Sequence, residues 1–171
     1  MGILKLEGRC IAGWSRITCR RLAAKRWRAC KMKNEGDKIS TTDLEISWTE
    51  ILSTFDKFIE NGHKLRPIRF LIRHIIENGY SRRLFAGSSL WSLLISLPSN
   101  LTVDFARTLR VDIDQLTSTV KFTYKNKLAR PDEPIWTETC QLTEIIDIFE
   151  YFIEINKDWK EIKNTTRQHR L

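Results

Sequence analysis

The sequence has no apolar run approaching the ~20 residues that a membrane-spanning helix needs. The longest, around Leu93 to Ile95, is strand-sized. Paired metal ligands are lacking too. Cys10, Cys19 and Cys30 are spaced by nine and eleven, which matches no zinc pattern. Cys140 stands alone, and His63, His74 and His169 offer no paired spacing. There is no disulfide framework, so a reduced, cytoplasmic protein is the expectation. No Ser or Cys sits in a nucleophile elbow or a Cys-His context, and no glycine-rich loop carries the Lys of a phosphate loop. These absences point away from an enzyme, and no metal or cofactor is expected.

The chain does have enough apolar residues for one packed core. It is 171 residues long, 42% hydrophobic and 10% aromatic. Its net charge of +8 is unevenly placed. Residues 1–38 hold eleven Lys and Arg against Glu7, Glu35 and Asp37, a balance equal to that of the whole chain. The remaining body is neutral. Any nucleic-acid argument from charge therefore concerns residues 1–38 alone.

That basic stretch admits several readings. Arg16, Arg20 and Arg21 interrupt the apolar region of a secretory signal. The composition suits an organelle transit peptide, but Ile11, Ile17, Leu22 and Trp27 do not gather on one helical face. A nucleic-acid-binding arm would use Arg16, Arg20, Arg21, Arg26 and Arg28 on phosphate, with Trp14 and Trp27 stacking on bases. The reading preferred is a disordered extension, or a start misassigned ahead of Met32.

The body, 39–163, reads as a single α+β domain, followed by a polar tail at 164–171. A first helix is expected to start at the capping box Ser47-Trp48-Thr49-Glu50, with Ile46 and Ile51 as hydrophobic staple. Trp48, Ile51, Leu52, Phe55, Phe58 and Ile59 form its stripe, and Asn61-Gly62 ends it. A second helix opens at Pro67 and closes at Gly79, with Ile68, Leu71, Ile72, Ile75 and Ile76 on one face. His74 lies at the edge of the polar side and reads as a surface histidine. The two helices should form an antiparallel pair.

Four antiparallel strands in a meander are expected next. Ala86-Gly87-Ser88-Ser89 reads as a small-residue loop. Trp91, Leu93, Ile95 and Leu97 alternate, while Leu90, Leu93, Leu94 and Leu97 also make a helical stripe; the strand is the reading preferred. Leu101, Val103, Phe105, Leu109, Val111 and Ile113 alternate too. Arg107 breaks the second run, standing where parity predicts an apolar group, and a bulge is expected at Ala106 to Thr108. Gln115 to Ser118 turns the chain into Val120, Phe122 and Tyr124. Lys125 to Pro134 reads as a polar loop, and Ile135 to Gln141 as a short last strand. Asp112 and Asp114 share an exposed strand face with Lys121 and Lys125 opposite, which cross-strand ion pairs explain without metal. Cys140 is a small strand residue.

A last amphipathic helix, packed on the sheet, should begin at Thr143 as N-cap. Ile145, Ile148, Phe149, Phe152, Ile155 and Trp159 form its apolar stripe. Glu144, Asp147, Glu150, Glu154, Asp158 and Glu161 fall within a sector of about 120°. Like charges four apart oppose each other, and acids near a helix C-terminus oppose its dipole. The stripe therefore does not serve the helix itself, and an acidic docking face for a basic protein partner is the functional reading. The alternative is the nucleic-acid arm.

The run Arg82-Arg83-Leu84-Phe85-Ala86-Gly87-Ser88-Ser89-Leu90-Trp91, with those acids, resembles small uncharacterised bacterial α+β proteins. In size and acidic face the body also resembles immunity proteins that neutralise basic nuclease toxins. The resemblance implies a non-enzymatic binding module. It carries over no functional residue.

Overall fold

A computed structural model describes residues 39–98, 105–128 and 134–161, all within the unit Lys38–Leu171. The class is α+β. Helices α1 (Thr41–Glu60) and α2 (Arg66–Glu77) lead through a 3-10 turn, Tyr80–Arg82, into five strands. These are β1 (Phe85–Ser89), β2 (Ser92–Ser96), β3 (Arg107–Asp114), β4 (Thr119–Asn126) and β5 (Trp136–Gln141). A 3-10 turn, Leu142–Glu144, precedes α3 (Ile145–Ile155). The sheet is antiparallel, in the order β1-β2-β3-β4-β5.

Alternation places Leu93, Ile95, Leu109, Val111, Val120, Phe122 and Tyr124 on one sheet face, all buried. They join Trp48 and Phe55 of α1, Ile68, Leu71, Ile72 and Ile75 of α2, and Phe149 and Phe152 of α3 in one core. The opposite face carries Arg110, Lys121 and Lys125, exposed among threonines. This two-sided pattern is what an antiparallel sheet covered on one side requires.

The first helix starts seven residues earlier than the Ser47 box predicts. Its N-cap is Ser40, whose hydroxyl accepts the Asp43 amide at 3.2 Å, while the Asp43 carboxylate accepts the Ser40 amide. Ser47 is instead a buried helical residue, and Ile46, expected as a staple, is half exposed. The Ser47 hydroxyl donates to the Leu44 carbonyl at 2.6 Å and accepts the Ala86 amide at 3.0 Å. The next residue does the same: Trp48 Nε1 donates to the Leu84 carbonyl at 2.7 Å. Both bonds pin α1 to the start of β1. The C-terminal readings hold: Asn61 caps α1, followed by Gly62 at φ +89°, and Gly79 follows α2 at φ +76°.

The sheet has five strands rather than four, because the small-residue segment is β1. Ser89 pairs with Ser92, leaving Leu90 and Trp91 as a two-residue turn. No Gly, Asn or Asp marks it, and Leu90 adopts φ +56°. Gly87 fits because the Phe105 ring lies over it; an added Cβ would stand 3.1 Å from that ring. Phe105 itself is not in a strand and has φ +51°, so the long run does not extend unbroken through it and β3 begins at Arg107. Leu101 and Val103 lie outside the described residues. The expected ion pairs of Asp112 and Asp114 with Lys121 and Lys125 do not form. Asp112 is bound by Arg110 Nε at 2.8 Å and by the Ser92 hydroxyl. Asp114 accepts the amides of Leu116 and Thr117 across the turn, and these bonds hold its carboxyl below the usual range.

The last helix departs from its expected course at both ends. Thr143 is not the cap. Gln141 and Glu144 form a capping box around the 3-10 turn, with the Gln141 amide donating to Glu144 Oε2 at 2.9 Å. The helix then stops at Ile155, because Asn156 is extended at ψ 115°. Asn156 starts a separate helical turn over 157–161: its side chain accepts the Asp158 amide and its carbonyl accepts the Trp159 amide. The break shifts the phase. Ile153 and Trp159 are buried, while Ile155, placed in the apolar stripe, is 45% exposed.

Two predictions test these points. Trp48→Phe leaves the Leu84 carbonyl buried without a donor, and Ser47→Ala does the same to the Ala86 amide. Each should cost about 1–3 kcal/mol in denaturant unfolding, whereas Ile46→Ala should stay within about 0.5 kcal/mol. A large loss at Ile46 would restore the staple and overturn the Ser40 start. Separately, Leu90→Gly removes a left-handed leucine and should stabilise by about 1 kcal/mol; a lower melting temperature would refute the strain.

Candidate functional site

The six acids of the expected stripe do not act as one surface. Glu144 is exposed but serves as the cap on Gln141. Glu150 turns inward. Its Oε1 lies 2.8 Å from His74 Nε2, and the Tyr80 hydroxyl donates to both of its oxygens at 2.9 Å. His74 is therefore not a plain surface histidine: its side chain is 22% exposed and that of Glu150 26%. The Asn78 amide donates to the His74 carbonyl at 2.9 Å and lies 3.1 Å from Nδ1. With Nδ1 accepting, Nε2 carries the proton that reaches Glu150, which sets the tautomer. Phe149 packs edge-on against both the His74 and Tyr80 rings. This cluster ties α2 to α3.

Asp158 and Glu161 belong to the separate turn at 157–161, so neither continues the α3 face. Asp158 Oδ2 stands 4.0 Å from Arg107 Nη1. What remains on α3 itself is Asp147 and Glu154. Both are exposed, and neither makes an ion pair among the described residues.

The structure adds two residues that the stripe did not include. Tyr151 is 51% exposed, and Ile155 is exposed as well. At i+4 from Asp147 and i−4 from Ile155, Tyr151 lies on the same outward sector as the two acids. The α3 surface is thus an apolar strip flanked by the Asp147 and Glu154 carboxylates. The helical position of Tyr151 among the acids was visible in the sequence. The exposure of Ile155 was not, because its spacing put it in the apolar stripe.

Other assignments fall as follows. Arg16, Arg20, Arg21, Arg26 and Arg28, with the rest of residues 1–38, lie outside the described residues. Cys140 is a buried strand residue, and burial pushes its thiol up to about 11. Among the described residues, no three His, Cys, Asp or Glu side chains come together as a metal site. None of the described helices is long and apolar enough to cross a membrane.

The His74–Glu150 tie is open to a double-mutant cycle. His74→Ala, Glu150→Ala and the double variant, compared by urea unfolding, should show a coupling of about 0.5–3 kcal/mol. Additive losses would mean that the two helices are held by packing alone, and that Glu150 is free to serve the outer face.

Compared with protein-family models, with curated proteins and with solved structures, the chain matches none.

Proposed function

We propose that the protein is a non-enzymatic binding module that docks a basic protein partner on the outer face of α3. The observation that carries this reading is Tyr151. A large aromatic side chain is half exposed on a helix whose other face is fully buried, between Asp147 and Glu154 and beside exposed Ile155. Interface energy concentrates in aromatic anchors, while surrounding charges steer encounter and select the partner's sign. Both ingredients are present on one face. A partner of complementary design has a basic rim around an apolar pocket. A basic toxin held by an immunity-type protein has that chemistry, and the acidic face is the feature in favour of that narrower reading.

The test separates anchor from scaffold. Wild type, Tyr151→Ala, and Asp147→Lys/Glu154→Lys are each used to capture partners from native lysate, with the captured proteins identified by mass spectrometry. Tyr151, Asp147 and Glu154 all project outward, so melting temperatures should differ little, within about 1 kcal/mol of stability. The expected result is a basic protein retained by wild type, lost with Tyr151→Ala, and weakened by the charge reversals in a salt-dependent way. Identical capture by all three, or none by wild type, overturns the assignment.

A further inference from the structure

The two helices joined by His74 and Glu150 expose opposite charges in the same pattern. On one flank of α2, Arg69 Nε lies 2.8 Å from Asp56 of α1; on the other, His74 meets Glu150 of α3. Ile68, Leu71, Ile72 and Ile75 of α2 are buried in the core. The face opposite them holds Arg66, Phe70 and Arg73, at i, i+4 and i+7, all exposed. Phe70 is 60% exposed, the most of any Phe, Tyr or Trp among the described residues. Arg66 and Arg73 make no ion pair among the described residues. Glu77, one turn beyond Arg73, ends the basic strip. α3 repeats the pattern with the sign reversed. Opposite its buried Ile145, Phe149, Phe152 and Ile153 stand Asp147, Tyr151 and Glu154, again exposed at i, i+4 and i+7.

Each strip is an aromatic side chain between two like charges, and the two strips are opposite in sign. The sign is the same at both ends of a strip, so they match whether the helices run parallel or antiparallel. α2 and α3 lie side by side and pack into one core over the same face of the sheet. A two-fold axis running between them therefore lays α2 of one copy over α3 of the other, and the reverse. Such an isologous contact requires one self-complementary surface, which a basic row beside an acidic row provides. We propose that the partner of the α3 face is a second copy of this chain, whose Arg66, Phe70 and Arg73 oppose Asp147, Tyr151 and Glu154. This rests on the reading of α3 as a docking face and names the basic surface that it takes. Phe70 meets Tyr151 at the centre of each contact, where aromatic anchors contribute most. The guanidiniums meet the carboxylates at the rim, where they steer encounter and fix register.

The test is sedimentation velocity of the full chain over a concentration series. Wild type should dimerise reversibly, with a Kd on the order of 10 μM for so small a contact, and less tightly at high salt. Arg66→Glu/Arg73→Glu and Asp147→Lys/Glu154→Lys should each associate at least about tenfold more weakly, since both halves of the symmetric contact become repulsive. Mixed in equal amounts, the two variants should form a heterodimer, because each half again pairs acidic with basic. Phe70→Ala should weaken the wild-type dimer about tenfold. The mixture also guards against misfolding, since unfolded variants cannot restore each other. A wild type that stays monomeric up to about 1 mM overturns the proposal. So does a dimer that survives either charge reversal, or a mixture that stays monomeric. A monomer whose α3 face still captures a foreign basic protein removes the second copy but leaves the docking reading standing. A monomer that captures nothing overturns both.

Discussion

Two hydrogen bonds from adjacent residues of one helix, Ser47 to the Ala86 amide and Trp48 to the Leu84 carbonyl, hold the edge of the sheet in place. An edge strand needs its outward backbone groups satisfied or covered. β1 is poorly equipped to form alone, since Phe-Ala-Gly-Ser-Ser offers little of the branched bulk that strands favour. It exists because α1 takes its outer amide, β2 takes its inner ones, and the Phe105 ring covers Gly87. The remaining four strands then add in chain order, each supplying an alternate row to a core roofed by three helices. At the far edge, β5 relies on a different device. Glu138 stands opposite Phe122 on the core side of the sheet and remains exposed, an inward charge that discourages a sixth strand.

Much of this was legible in the residues. Period two located β2, β3 and β4, and period 3.6 located all three helices, because those signals record burial directly. The errors share a physical origin. Ser47-Trp48-Thr49-Glu50 satisfies the local rule for a helix start, but its serine is consumed by a contact with Ala86, thirty-nine residues away. Leu90 and Trp91 hide a tight turn because tertiary context, not a turn residue, imposes the left-handed backbone. Asn156 did carry a usable signal, an Asx cap followed by Lys157 and Asp158, but the apolar spacing from Phe152 to Trp159 masks it.

The surface was half legible for a related reason. A helical projection assumes one continuous helix and assigns every acid outward. Glu150 sits at the boundary of its sector, and whether it faces solvent or the interior depends on His74 and Tyr80 from another part of the chain. Arg107 shows the opposite case. Its anomaly was plain from parity alone, but the groups that face it, the Pro98 carbonyl and the Asp158 carboxylate, are connected to it by no spacing rule.

The order of the strands has a consequence for how the chain assembles. Every strand pairs with its sequence neighbour, so each hairpin can close as soon as its own residues are available, at the small entropic cost of a short loop. The α1 anchor needs only the first hairpin. The contact of His74 with Glu150 spans 76 residues and cannot form until the last helix exists. Until then α2 presents its Ile68, Leu71, Ile72 and Ile75 face without the cover that α3 supplies. Until that contact closes, this apolar helix face is a part of the described fold open to aggregation.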